Sequence, residues 1–254
     1  MSMSDETCPS GQQDFILYRD DRLLIVAKPA GLVVHRGWAD DEVALLDLAR
    51  EAVGAYVYPV HRLDRGASGA LAFALDSATA RAMQEVWTSG QVEKRYLALV
   101  RGNPPAAVTI DHPIPRAEDG PRVPAVTEVT TLARAGRYAL VEARPLTGRL
   151  HQIRRHLKHI SCPLIGDVRY GKGEHNRWFR EHHDLHRLAL HAWSLALPHP
   201  HTGARVAVKA PLPADLAGAL AGLGITTELV AGASAQARVV GDGGDATDAG
   251  GRDG

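Results

Sequence analysis

The sequence is poor in the residues that staple or metallate small domains. Only two cysteines occur among 254 residues, Cys8 and Cys162. They form no Cys-x-x-Cys spacing, which excludes a zinc ribbon and a thioredoxin-like redox pair. Two isolated thiols fit a reducing compartment better than a disulfide framework. Aromatic residues make up only 5% of the chain. No apolar run approaches the roughly 20 residues that a membrane span needs. Residues 1–13, with Asp5 and Glu6, lack the basic and then apolar regions of a secretory leader. The expectation is a cytoplasmic protein without membrane attachment. Net charge is also missing, because 29 basic side chains balance 29 acidic ones. Affinity for a polyanion must then come from uneven placement of charge.

That placement is uneven. Between Arg149 and Arg187 lie nine Lys or Arg, four acids and seven histidines. A basic face of this kind can hold phosphates on a neutral molecule, although a charge run by itself is more often plain solvated surface. Apolar residues, at 45%, suffice for one large domain or two small ones. Composition divides the chain into a disordered lead (1–14), a folded domain (15–225) and a Gly, Ala and Asp-rich tail (226–254) with too little apolar surface to fold. No internal repeat is visible.

Short β-branched and apolar runs predict strands at 23–27, 69–75, 95–101, 127–132, 137–143, 190–197 and 205–209. A helix is expected over 78–89. Asp76 or Ser77 can cap it, Met83, Val86 and Trp87 form its apolar stripe, and Gly90 can end it. A second helix is expected from about residue 150, with Ile153, Leu157 and Ile160 on one face and Pro163 just beyond. Most strands follow one another without long crossovers. That favours an α+β fold built on a large, mainly antiparallel sheet flanked by helices and loops.

Three segments place reactive groups beside buried elements. In Pro59-Val-His-Arg-Leu-Asp-Arg-Gly-Ala-Ser-Gly69, Asp64 stands between Arg62 and Arg65 on a loop entering a core strand. Such a carboxylate can serve as nucleophile or base, and equally can pair with a neighbouring Arg to pin a turn. In Val92-Glu-Lys-Arg-Tyr-Leu-Ala-Leu-Val-Arg-Gly102, alternation puts Tyr96, Ala98 and Val100 on one face. There Tyr96 is either a core residue or a flat surface for an extruded base. In Pro145-Leu-Thr-Gly-Arg-Leu-His-Gln-Ile-Arg-Arg-His-Leu-Lys-His159, Arg154 adjoins Ile153 and Leu157. Its stem should be partly buried, and its guanidinium then needs a carboxylate. Arg155, Lys158 and His159 are expected to face solvent or phosphate.

Taken in this order, the segments resemble the RluA-type pseudouridine synthases. His61-Arg-Leu-Asp64 with Ser68-Gly69 is similar to the family's catalytic loop, and Lys94-x-Tyr96 with Val100-x-Gly102 to its tyrosine strand. Thr147-Gly-Arg-x-His-Gln-Ile-Arg154-x-His156 resembles its third motif, and Pro163-Leu-Ile-Gly-Asp167 the stretch just after that motif. Asp20 and Asp21, Lys28-Pro-Ala-Gly31 and His35 are similar to its first strand and turn. The likeness covers about residues 15–213. One departure is Ala67, where the family's loop usually carries Thr. The stretches from Gly171 to Phe179 and from Arg187 to Ala192 are similar to a tRNA-modifying subgroup that acts at the junction of the T and acceptor stems, at position 65.

The resemblance implies a single catalytic domain that isomerises uridine to pseudouridine with no cofactor and no metal. Asp64 would be the reacting carboxylate, Arg154 its partner and Tyr96 the stacking ring. RNA would be held by Arg62, Arg65, Arg149, His151, Arg155, Lys158, Arg177 and Arg180. The implied partner is tRNA, bound by a monomer with no obligate protein partner. Other readings are the same chemistry on 23S ribosomal RNA, a non-catalytic RNA-binding or chaperone module, and a metal-dependent hydrolase using His182, His183, His186 and His191. The histidines lack the spacing of His-Glu-x-x-His.

Overall fold

The run Leu-Leu-Ile-Val-Ala-Lys forms strand β2 (Leu23–Lys28), buried along nearly its whole length. β4 (Ser68–Ala74) is buried at every position, the pattern of a strand covered on both faces. These two strands lie inside a ten-stranded sheet in the computed structural model, which describes residues 15–36, 43–116 and 120–226. The expected lead and residues 227–254 of the expected tail lie outside the described residues.

The sheet runs β1 (Ile16–Arg19), β2, β4, β11 (Leu190–Pro198), β5 (Glu93–Arg101), β10 (Tyr138–Pro145), β9 (Val126–Ala135) and β6 (Ala107–Asp111). β3 (Tyr58–Pro59) pairs with β4, and β12 (Arg205–Lys209) pairs with β11. A separate hairpin joins β7 (Ile114–Pro115) to β8 (Arg122–Val123). Five helices, α1 (Leu45–Val53), α2 (Ser77–Thr88), α3 (Gln152–His159), α4 (Gly173–His183) and α5 (Ala214–Gly222), complete an α+β domain. Pairings within the sheet are antiparallel except where β11 meets β4, with His191 beside Ser68 and Ala192 beside Gly69.

Period-two alternation along β5 divides the core as expected. Tyr96, Ala98 and Val100 pack on one side with Ile153 and Leu157 of α3. Leu97 and Leu99 pack on the other with Phe179 of α4 and Leu216 and Leu220 of α5. A third cluster sets Met83 of α2 against Leu23, Ile25 and Ala70. Asp76 caps α2, its carboxylate accepting the Thr79 N–H at 2.7 Å.

The expected strands are all present, several longer by one to four residues. Beyond the two expected helices the structure adds α1, α4 and α5. In α4 the only large apolar residues, Trp178 and Phe179, are adjacent and make no helical stripe. Its buried face is instead His175, Asn176 and Phe179.

The parallel junction admits no side chain at Gly69. Its φ is +115°, and a Cβ there would lie 2.2 Å from the Ala192 carbonyl oxygen. Both the backbone conformation and the contact disfavour any L-residue. Gly69→Ala is expected to destabilise the protein by about 3 kcal/mol, read as a lower urea midpoint at unchanged slope.

Candidate active site

The loop from His61 to Ala67 joins β3 to β4 and is held from both sides. Its Asp64 carbonyl accepts the Ala67 N–H at 3.0 Å, closing a tight turn. Lys28, at the end of β2 and 1% exposed, donates to the carbonyls of Pro29, Leu32 and Arg65 at 2.8, 2.6 and 3.2 Å. Burial pushes its pKa down to about 8, with Asp64 opposing. The Gly31 N–H also reaches the Arg65 carbonyl, at 2.8 Å. Two donors from the first turn therefore clamp the loop one residue past Asp64.

Ser68 anchors the other end. Its Oγ lies 2.9 Å from His191 Nδ1 and accepts from Arg187 Nη1 at 3.1 Å. Arg187 is in turn fixed by both Asp215 oxygens, at 2.7 and 2.9 Å. Burial pushes the His191 pKa down to about 4, so this ring is neutral and acts as a hydrogen-bonding strut.

Arg154 arrives from α3, 90 residues along the chain from Asp64. Its neighbours Ile153 and Leu157 bury that helix face and carry the guanidinium inward. Nη1 donates to Asp64 Oδ2 at 2.9 Å. Nε and Nη2 donate to the two oxygens of Asp167, at 2.8 and 2.9 Å. The Asp167 side chain has no exposed surface. Burial pushes its carboxyl pKa up, but Arg154 and the Tyr170 and Arg169 N–H groups outweigh this and leave it below the ordinary value. Asp167 sits behind Gly166, which has φ +75° and whose Cβ would collide with the Arg187 carbonyl at 1.8 Å. Asn176 of α4 braces the turn, accepting from Gly166 N–H at 2.8 Å and donating to the Asp167 carbonyl at 3.0 Å. The polar buried face of α4 is explained by that brace.

Tyr96 projects from β5 with 9% exposure. Burial, and then the charge of Asp64, raise its hydroxyl pKa well above the ordinary value, so it is a neutral ring. His151 begins α3 in the left-handed conformation, φ 54°. Its Nε2 lies 3.8 Å from Asp64 Oδ1, too far for a hydrogen bond, and its Nδ1 lies 3.2 Å from the Tyr170 hydroxyl. Burial lowers its pKa, with Asp64 opposing.

These groups open on one cleft of about 520 Å³, walled by Leu63, Ala67, Trp87, Tyr96, Ile153 and Leu190, with Asp64 and Arg154 among its polar groups. The volume falls within the roughly 300–1,000 Å³ of small-ligand sites. Asp64, Tyr96 and Arg154 are thus brought together, and Arg62, Arg149 and His151 line the same cleft.

The other expected RNA contacts lie elsewhere. Arg65, Lys158, Arg177 and Arg180 are exposed and do not line it. Arg155 differs from expectation. It does not face freely outward but donates to the Tyr170 hydroxyl at 2.9 Å and the Pro115 carbonyl at 2.8 Å, tying α3 to the β7–β8 hairpin. His159 stacks on His112 with ring centroids 3.8 Å apart. The four clustered histidines do not converge. His182 stacks on Trp178, His186 pairs with Asp184, and His191 is buried on Ser68. Among the described residues no group of three His, Cys, Asp or Glu is arranged to hold a metal.

Sequence reasoning assigned no role to Asp167 or Lys28. A signal for Asp167 existed, since a buried guanidinium has five donors and one carboxylate leaves several unsatisfied. Lys28 was marked only by the resemblance of Lys28-Pro-Ala-Gly31, which gave it no role.

The likeness to known proteins runs through the same residues. The family model described as RNA pseudouridylate synthase matches residues 22–159, from β2 through α3. The tRNA pseudouridine synthase C of Vibrio cholerae is 38% identical over 220 residues, covering 78% of this chain and 90% of that protein. That of Haemophilus ducreyi is 41% identical over 223 residues, covering 78% and 90%. The solved structure of human RNA pseudouridylate synthase domain containing 4 matches with a TM-score of 0.68 at 29% identity, over 82% of this chain and 92% of that one. With the expected fold present and the model spanning the loop, the tyrosine strand and the arginine helix, the chain belongs to the RluA-type RNA pseudouridylate synthase family.

Proposed function

We propose that this protein isomerises a uridine of tRNA to pseudouridine, with Asp64 as the reacting carboxylate. The observation that carries this reading is the asymmetry of that carboxylate. Oδ2 is bound to Arg154 at 2.9 Å, while Oδ1 has no hydrogen bond among the described residues, His151 Nε2 standing off at 3.8 Å, and Asp64 lines the cleft. One oxygen is thereby fixed and the other left to act at the sugar, whether by attack on C1′ or by proton removal.

The reaction breaks N1–C1′, turns the base and joins C5 to C1′. C5 gives up its proton and N1 gains one. Atoms and electrons balance without a redox partner or a group donor, so the chemistry calls for no cofactor. Tyr96, buried and neutral, is the face on which the base stacks while it is detached. Arg62, exposed beside Asp64 at the cleft, fills the gap the base leaves. Unstacking costs a few kcal/mol, and such filling offsets part of it.

The target reading, the junction of the T and acceptor stems at position 65, rests on the resemblance of residues 171–192 and on the names of the curated relatives. Arg149, Lys158, Arg177 and Arg180 contact phosphates and set position more than sequence. Recognition rests on tRNA shape, since A-form RNA hides its major groove from side chains. The protein acts in the cytoplasm as a monomer. No helix among the described residues is long and apolar enough to cross a membrane.

Pseudouridine mapping of total RNA with and without the protein tests the target directly. A signal confined to ribosomal RNA would overturn the tRNA assignment. Asp64→Asn is expected to abolish product while changing tRNA affinity by less than about threefold, because the near-isosteric swap removes no phosphate contact. Retained turnover would remove Asp64 from the reaction. Arg154→Ala is expected to cost about 3–5 kcal/mol of stability as well, because it strands the fully buried Asp167. Asp64→Asn leaves Asp167 paired and shifts the unfolding midpoint little. Equal midpoints for the two variants would contradict this account of the site. Arg177→Ala with Arg180→Ala is expected to weaken tRNA binding and flatten its salt dependence, leaving single-turnover chemistry at saturation unchanged. Unaltered affinity across a salt series would sever α4 from the RNA.

A further inference from the structure

One partly buried cation in the cleft has no counterpart. Lys94 precedes Tyr96 by two residues on β5, so both side chains project from the same face, and both line the cleft. Its surroundings penalise the charge. Burial lowers the ammonium pKa, and no carboxylate opposes that shift. Among the described residues Lys94 makes no hydrogen bond and no ion pair. The other basic groups here differ: Arg62 and Arg116 line the same cleft but are exposed, so water solvates their charge. Arg154 is held by two carboxylates, and Arg149 Nε donates to the Pro124 carbonyl at 3.2 Å. A desolvated ammonium without an acceptor costs stability, and a bound anion would offset that cost.

The surroundings of the ammonium indicate which anion. Lys94 is more exposed than Tyr96, so it lies nearer the mouth, where the backbone of an extruded nucleotide must pass. Its Nζ is 3.9 Å from the position a Cβ on Gly148 would occupy. Gly148 leaves its backbone open to close approach, and its N–H donates to no described residue. The cleft is also lined by the His61–Trp87 ring pair, with centroids 4.5 Å apart and planes 23° from parallel. His61 accepts the Ala72 N–H at 3.0 Å, and burial and Lys94 lower its pKa, so it is a neutral wall.

We infer that Lys94, above the Gly148 backbone, seats a backbone phosphate adjoining the uridine that enters the cleft. This rests on the uridine-isomerising function proposed above and adds a binding contact to the substrate backbone at the mouth of the cleft. Lys94 supplies a point charge, which suits a phosphate at the mouth and requires no fixed donor geometry.

The test uses the full chain and a tRNA transcript carrying one neutral methylphosphonate linkage, 5′ or 3′ of the target uridine. Lys94→Met is expected to raise Kd about tenfold and to reduce the salt slope by about 0.7–0.9, the loss of one phosphate contact. The single-turnover rate at saturating RNA should stay within about twofold, and Lys94→Arg should retain binding. Neutralising the seated phosphate should cost the wild type the same tenfold and cost Lys94→Met nothing further, a non-additivity that two contacting groups show. The unfolding midpoint of Lys94→Met should be unchanged or higher, because a penalised charge has been removed. Unchanged Kd, additive losses at both linkages, a lowered midpoint, or collapse of the single-turnover rate at unaltered Kd would each overturn the assignment. The binding arm decides Lys94 independently of turnover. Absence of product with the wild type on an unmodified transcript would instead overturn the functional reading.

Discussion

The site depends on one guanidinium shared between two carboxylates. Arg154 gives its Nε and Nη2 edge to Asp167 and keeps Nη1 for Asp64. The first pairing is bidentate and fully buried, and so is rigid. The second is a single bond to a carboxylate whose side chain is 19% exposed. Asp167 thus locks Arg154, and Arg154 orients Asp64. Two anions around one cation would leave the region negative, and Lys28 supplies the second cation, near enough for Asp64 to raise its pKa. Oδ1 of Asp64 is left without a hydrogen bond among the described residues, with His151 Nε2 3.8 Å away.

The topology makes that arrangement available only once the sheet is complete. The Asp64 loop enters β4, Lys28 ends β2, and β11 closes against both β4 and β5. Ser68 is reached by Arg187 and His191 from more than 100 residues away. Gly69 and Gly166 stand where backbones touch, one at the β4–β11 junction and one below Arg187. The loop therefore cannot be ordered by local structure. It is assembled by pairings of high sequence separation, which form late and at high entropic cost.

This explains which parts were legible in the sequence. Strands showed themselves through unbroken apolar runs, and α2 through its cap and stripe. The convergence of Asp64, Tyr96 and Arg154 was foreseeable only through resemblance, since no local pattern joins residues 64 and 154. The helix α4 stayed hidden because its buried face is polar. His175 and Asn176 are inside to hydrogen-bond Tyr138 and the Gly166–Asp167 turn, a purpose set by tertiary contacts alone. Arg155 was misread for a related reason. Helical spacing placed it away from the core, but the β7–β8 hairpin, distant in sequence, folds over to receive it.

Ala67 shows that the turn at Asp64 closes without a hydroxyl at that position. The family's loop usually has Thr there, whereas here the position is a buried methyl lining the cleft. The turn is nevertheless closed by the Ala67 N–H to the Asp64 carbonyl and by Lys28 and Gly31 on the Arg65 carbonyl. The loop's own acceptors in this turn are backbone carbonyls, which every residue carries, with the Lys28 ammonium among their donors. An isomerisation that uses no external reagent asks the protein chiefly for position. Position here is set by backbone clamps on the loop and by a locked guanidinium on one oxygen of Asp64.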